Sequence, residues 1–149
     1  MRDPLRAAPG DAFALAEFLR SVDLTTSGLD DPDTHLWIDL DVDGRIVAST
    51  GFELADDNAL IRSVAVAPLL RGAGRGSELA RFALGQASAL GARRAWLMSR
   101  RSGPFWQELG FVTADIHQLA AALLTTSQVR AFAESGQLDY ESAWTRPLS

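Results

Sequence analysis

Glycines stand at 72, 74 and 76 in the stretch VAVAPLLRGAGRGSELARFAL, residues 64–84, with Arg71 and Arg75 interleaved and a helix-like pattern behind them. Glycines between a strand and a helix let main-chain amides approach an anion, and the unpaired N–H groups of a helix start point at it. The chemistry served is the holding of a phosphate or pyrophosphate. A tight turn that uses glycine only for packing is the other reading of the same spacing. A nucleotide-hydrolysing P-loop is excluded, because GRGS at 74–77 has no lysine. A dinucleotide-binding unit wants GxGxxG after its first strand and an acidic residue ending the next strand. GAGRG is one residue short, follows a hairpin and leads to Ser99-Arg100-Arg101.

Other residues invite chemistry. If the ADDN turn at 55–58 pairs Leu54 with Ala59, Glu53 lies opposite Leu60 and diagonal to Arg62 on one sheet face. A plain cross-strand ion pair fits that placement, and so does a catalytic or substrate-binding carboxylate; an arginine there could hold a substrate's acid group. His35 and His117 fall at a strand start and a helix start and read as surface or capping residues. Asp39, Asp41 and Asp43 alternate, but without the glycine and later glutamate of a calcium loop they read as one solvated strand face. Trp37, Phe52 and Trp144 suit a core, with Trp37 a candidate to line a substrate pocket. Arg93, Arg94, Arg100 and Arg101 flank a strand and either meet a phosphate or face solvent.

These residues need elements to place them. Residues 2–7 suit a short strand, and GDAFALAEFLRSV from Gly10 a helix with Asp11 as N-cap. HLWIDLDV and RIVASTGFEL flank Asp43-Gly44, the signal of a two-residue hairpin turn. ALIRSVAV is the next strand, and a helix spans about residues 76–90 with Gly91 as its stop. RAWLMS is a strand, GPFWQELG a short helix with Pro104 in its first turn, and FVTAD a strand. Residues 116–135 read as one or two helices and YESAWTRPL as a closing strand. The result is a mixed α/β (α+β) sheet flanked by helices, in a single domain spanning residues 1–149.

Arg71-x-x-Gly74-x-Gly76 directly after SVAVAP, with GPFWQELGF about thirty residues on, resembles the acetyl-coenzyme A signature of the GNAT superfamily of N-acetyltransferases. The specific motifs cover residues 45–115, and element order carries the likeness further. The resemblance implies a GNAT fold with a mostly antiparallel sheet of six to seven strands and one splayed strand pair. It implies acetyl-CoA as cofactor, its pyrophosphate on the amides of Arg71, Gly72, Ala73, Gly74, Arg75 and Gly76, with the Ser77 hydroxyl in reach. The backbone of Val64, Ala65 and Val66 would meet the pantetheine arm, and Phe105 and Trp106 would pack beside it. Within the superfamily the chain is similar to the arsenic-resistance N-acetyltransferase group, through GFEL, LIRSVAVAP, the small residues before FWQELGF, and FAESGQLDYESAW. That group often carries a cysteine near the place of Asp139. This chain has none, so any thiol contact with an arsenical is lost.

The reaction so implied is direct acetyl transfer to a primary amine of a small, amino-acid-like molecule. An amine attacks a thioester, a base removes a proton, an oxyanion forms and a thiolate leaves. Glu53 is the candidate base, a backbone N–H near Val64 the oxyanion partner, and Arg62 and Trp37 candidate acceptor ligands. Many members place a tyrosine before LGF as acid; here Phe105-Trp106 stands, and indole donates a hydrogen bond without delivering a proton. Tyr140 is the one phenol that could substitute. An acyl-CoA-binding module without turnover and a protein N-terminal acetyltransferase are the alternative readings.

Composition bounds these readings. With 149 residues, 47% of them hydrophobic, the chain is long enough for one domain with its own core. Cysteine is absent, which excludes disulfides and thiolate catalysis, and every basic residue but histidine is arginine, which excludes Schiff-base lysines. A formal charge of -5 argues against nucleic acid and anionic membranes as partners. There is no run of about 18 apolar residues and no secretory leader, so a cytoplasmic protein is expected. The family resemblance is compatible with a homodimer.

Overall fold

The computed structural model describes residues 2–148. Strand β1 is Leu5–Arg6 and helix α1 Ala12–Ser21. Strands β2 (Thr34–Leu40), β3 (Ile46–Ala55) and β4 (Asn58–Val66) form an antiparallel meander. Then follow α2 (Arg75–Ala89), β5 (Arg94–Met98), α3 (Gly103–Glu108) and β6 (Val112–Ala114). Helices α4 (Ile116–Ala122) and α5 (Ser127–Ser135) precede β7 (Ala143–Pro147). Among the described residues the seven strands make one sheet in the order β1-β2-β3-β4-β5-β7-β6, and the β4–β5 pair alone is parallel.

Alternation along the strands feeds two cores. Trp37, Phe52, Ile61 and Leu97 face α2 and α3, where the small Ala80, Ala83 and Ala87 let the helix lie close to the sheet. Ala55, Leu60 and Trp96 face the opposite way, against Leu119, Leu123 and Val129 of α4 and α5. Leu15 and Leu19 of α1 cover Leu36 and Ile38. Residues 116–135 divide into two helices because two caps begin them. The Asp115 carboxylate accepts the N–H of His117 and Gln118, and the Thr126 hydroxyl accepts that of Val129.

The structure departs from the sequence pattern at the first hairpin. Between β2 and β3 the closing pair encloses three residues, 42–44, not two: the Asp41 N–H donates to the Arg45 carbonyl, the Gly44 N–H donates to the Asp41 carbonyl, and Gly44 sits at φ 79°. The Asp41 carboxylate fixes this form by accepting the N–H of both Asp43 and Arg45 at 2.9 Å. The aspartates are therefore not one solvated face. Asp41 builds the turn, and Asp39 is buried against Arg75. The ADDN turn forms as its pattern requires, with Leu54 opposite Ala59 and Glu53 opposite Leu60.

Two irregularities in β4 open the sheet. Ser49 pairs with Ala65 but Gly51 pairs with Arg62, so Ser63 and Val64 together face Thr50 in a β-bulge, with Ser63 at φ 60°. On its other side β4 pairs with β5 only from Asn58–Leu60 to Arg94–Trp96, after which the two parallel strands part. Opposite the bulge, Gly51 lies where a Cβ would overlap the His35 carbonyl and a Leu36 methyl. Gly51→Ala should destabilise the protein by about 2 kcal/mol, read as a lower urea midpoint.

His35 stacks on Phe52 at 5.1 Å between ring centres, and its Nδ1 meets the Arg6 guanidinium at 3.1 Å. Burial first, and the Arg6 charge second, hold its pKa below the ordinary 6.5. The unfolded chain therefore binds a proton before the folded one, so this residue's stability is full above pH 6.5 and is lost as pH falls through the lower folded value. Melting temperature should drop as pH falls below 6.5, and His35→Phe, which keeps the stack, should flatten that slope.

Candidate active site

The parted ends of β4 and β5 border a cleft of about 1270 Å³. One set of lining residues comes from β4 and the glycine loop, the other from residues 21–25, residues 97–102, α5 and Glu141. Five arginines (Arg62, Arg71, Arg75, Arg100 and Arg101) line it against two carboxylates, Asp23 and Glu141. Four of the five are paired with carboxylates, Arg62 with Glu53, Arg75 with Asp39, Arg100 with Glu141 and Arg101 with Asp23, and Arg71 at the glycine loop adds positive charge to a chain of net charge -5.

The loop before α2 has the form an anion needs. Gly72 and Gly74 take φ 92° and 86°, and a Cβ at either would meet no atom within 4 Å, so the bend is open to solvent. Gly74 is the N-cap of α2, which leaves the amides of its first turn without intrahelical partners. Arg71 is exposed, its Nε held by the Val66 carbonyl at 3.0 Å. Arg75 behaves differently. Its Nε and Nη2 grip the Asp39 carboxylate at 2.6 and 2.7 Å, and Nη1 donates to the Arg2 carbonyl at 2.7 Å. The Asp39 hydrogen bond raises its pKa further. Arg75 thus ties the start of α2 to β2, and of the two loop arginines Arg71 carries the charge left for a phosphate.

Val64, Ala65 and Val66 line the cleft beyond the end of the β4–β5 pairing, with Gly76 and Ser77 from α2 and Phe105 and Trp106 from α3. Phe105 packs edge-on against Trp106 at 4.9 Å, and Trp106 against Phe111 at 5.4 Å. Coenzyme A fits this arrangement: an open bend of amides for its diphosphate, and unpaired strand beyond Leu60 for its amide-bearing arm.

Of the expected residues, Trp37, Glu53 and Tyr140 stay outside. Trp37 is core, held between Phe52 and Phe82 with the Arg6 guanidinium 4.6 Å from its ring centre, because its position on β2 faces α2. Glu53 is 1% exposed and does not line the cleft. Its carboxylate accepts the N–H of Ser127 at 2.6 Å, the N–H of Gln128 at 3.1 Å and Arg62 Nη1 at 3.0 Å. Three donors occupy this sealed carboxylate and keep it off the cleft, since the register that sets it diagonal to Arg62 also turns it under α5. Arg62 lines the cleft while fully desolvated; burial lowers its pKa and the Glu53 charge opposes that shift. Tyr140 is 73% exposed and off the cleft.

Arg100 and Arg101, which the sequence offered as phosphate contacts or solvent-facing residues, line the cleft, and the pattern missed Asp23, Ser63, Gln128, Phe132 and Glu141 beside them. Glu141 pairs with Arg100 at 2.8 Å and its side chain is only 9% exposed, while Arg101 faces Asp23 across the opening at 3.9 Å. Ser63 holds the bulge, and Gln128 and Phe132 reach the cleft from α5. The adjacent arginines after a strand were a signal; nothing local marks Glu141 or Gln128.

The sequence matches the model of the acetyltransferase (GNAT) family over residues 5–111. The chain belongs to that family. No curated protein matches it in sequence. A GNAT-family acetyltransferase from Staphylococcus aureus Mu50 is similar in fold, with TM-score 0.74, 13% identity and 99% of each chain covered. Rv2747 from Mycobacterium tuberculosis, in complex with CoA and NLQ, aligns with TM-score 0.71, 16% identity, over 99% of this chain and 100% of that one. N-acetylglutamate synthase from Neisseria gonorrhoeae, complexed with coenzyme A and N-acetyl-glutamate, aligns with TM-score 0.69 and 17% identity; 99% of this chain spans 36% of that one. This GNAT member is an acetyl-CoA-dependent N-acetyltransferase with a seven-stranded, mostly antiparallel sheet. No helix among its described residues is long and apolar enough to cross a membrane.

Asp39→Ala should lower stability by about 2 kcal/mol in thermal unfolding, because it strands a largely buried guanidinium; Asp41→Ala, which loosens only a surface turn, should cost less.

Proposed function

We propose that this enzyme acetylates the primary amine of a small acidic, amino-acid-like molecule by direct attack in a ternary complex. The observation that carries this reading is the cleft itself: it runs from an open amide bend past parted strands into a space walled by the exposed Arg100 and Arg101. Guanidinium groups hold carboxylates in forked pairs, so an acceptor bearing an acid group fits that space best. The similar structures that hold CoA with N-acetyl-glutamate or NLQ support the same class. The likeness to the arsenic-resistance group, in GFEL, LIRSVAVAP and FAESGQLDYESAW, points the same way.

Acetyl-CoA supplies, when bound, an acyl group activated as a thioester. The loop from Arg71 to Ser77 would hold its diphosphate through main-chain amides, with Arg71 adding charge. The bulge would turn a backbone N–H near Val64 toward the carbonyl oxygen, as an oxyanion partner. Glu141, the shielded carboxylate on the cleft wall, would take the acceptor's proton directly or through water. Trp106 would shape the wall, and the leaving sulfur would be protonated from solvent, since no phenol lines the cleft among the described residues.

Thiol release from acetyl-CoA across the L-amino acids tests the proposal. Acceptor-dependent release is expected, strongest for acidic side chains, and Glu141→Gln should lower kcat about a hundredfold. Arg71→Gln should weaken coenzyme A binding in calorimetry about tenfold without moving the melting temperature. Heat with coenzyme A but no acceptor-dependent thiol from any amine would leave a binding module in place of the enzyme proposed.

A further inference from the structure

The buried ion pair under the cleft wall is the feature that proposed chemistry does not use. Glu53 and Arg62 have side chains 2% and 0% exposed, in a position where an apolar pair of similar volume would stabilise a fold as well or better. What an apolar pair could not do is bond three separate segments at once. Glu53 takes the first two amides of the nine-residue α5. Arg62 Nη1 donates to the Ser27 carbonyl, Nη2 to the Thr25 carbonyl at 3.4 Å, and Nε to the Ser63 hydroxyl at 3.1 Å.

Each of these segments borders the cleft or supports one that does. Ser63 is the bulge residue, held in a left-handed conformation rare outside glycine, and its carbonyl accepts the Ser49 hydroxyl at 2.6 Å. Gln128 Nε2 donates to Thr25 Oγ1 at 2.6 Å, joining α5 to the loop after α1. Ser127 Oγ donates to Asp31 at 3.1 Å, and Gly28 packs where any Cβ would overlap Ser127. Thr25, Arg62, Ser63, Val64 and Gln128 all line the cleft; Glu53 does not.

We propose that the Glu53–Arg62 pair is the positioning centre of acetyl transfer, holding the bulge amide near Val64 and the acceptor-side walls in one fixed arrangement. This rests on the acetyl-transfer reading of the cleft. It makes Glu53 a residue that acts through Arg62 and α5, and it couples acceptor binding to the placement of the oxyanion partner. The diphosphate of coenzyme A lies on the glycine loop, away from the pair, so most of the cofactor's affinity falls outside that coupling.

Glu53→Gln leaves one carbonyl oxygen to serve three donors. Calorimetry should give a coenzyme A Kd within about twofold of wild type, while KM for the best acceptor of the L-amino acid panel rises about tenfold or more. At saturating acceptor Glu53→Gln should retain far more of kcat than Glu141→Gln does. Ser63→Gly, which accepts φ 60° and so folds, removes only the Nε acceptor; it should lower kcat about tenfold at unchanged coenzyme A affinity. Amide hydrogen exchange needs no acceptor: in Glu53→Gln it should quicken together at Val64, at residues 25–27 and at Gln128, and stay unchanged in β5 and β7. A kcat loss in Glu53→Gln as deep as that in Glu141→Gln, with the acceptor KM unchanged, would make Glu53 the base and overturn the proposal. Wild-type exchange and acceptor kinetics in both variants would reduce the pair to scaffold. Absence of heat when coenzyme A is added to the wild type would instead overturn the transfer reading, and this role with it.

Discussion

Two adjacent parallel strands stop pairing after three residues, and the cleft depends on that. A strand edge buried inside a sheet leaves N–H and C=O groups that must find partners. In β4 and β5 these groups face a cleft instead of each other beyond Leu60 and Trp96. The bulge at Ser63 and Val64 sharpens the divergence, because an extra residue on one strand bends it away from its neighbours. Such an opening suits a ligand that carries amides of its own and can lie along β4 as a further strand would. The same divergence brings the start of α2 to one side of the gap and the residues after β5 to the other.

Charge is distributed to protect that opening. The chain is acidic as a whole, yet its cleft is lined mainly by arginine. Two of those arginines are not free to move: Arg75 is clamped by Asp39, and Arg62 by Glu53 and two loop carbonyls. Each clamp fixes an element that shapes the cleft, α2 in one case and the bulge with α5 in the other. Arg71 and Arg101 stay exposed, and Arg100 is half exposed. A cleft built this way has rigid walls and adjustable cations, which suits one invariant carrier and an acceptor recognised by its acid group.

Much of the architecture could be read locally. Gly44, Gly91 and Pro104 punctuate elements for reasons confined to their own turns, and periods of two and 3.6 gave the strands and helices. The cross-strand relation of Glu53 to Arg62 followed from one turn, and the open bend before α2 from its glycines. The misses have a common cause. Asp41 changed a two-residue turn into three through hydrogen bonds that no dipeptide signal encodes. Asp39 looked solvated because its partner, Arg75, lies in another element far along the chain.

The sequence by itself determined the order of elements, the open amide bend from Arg71 to Ser77 and membership in an acyl-transfer family, because turn chemistry, periodicity and glycine placement act over a few residues. Tertiary structure alone decided that Glu53 sits under α5 as an anchor, that Trp37 belongs to the core, and that Glu141 reaches the cleft. Those outcomes depend on which donors and which apolar faces arrive from distant segments, and a carboxylate's role is set by the groups that surround it once the chain has closed around it.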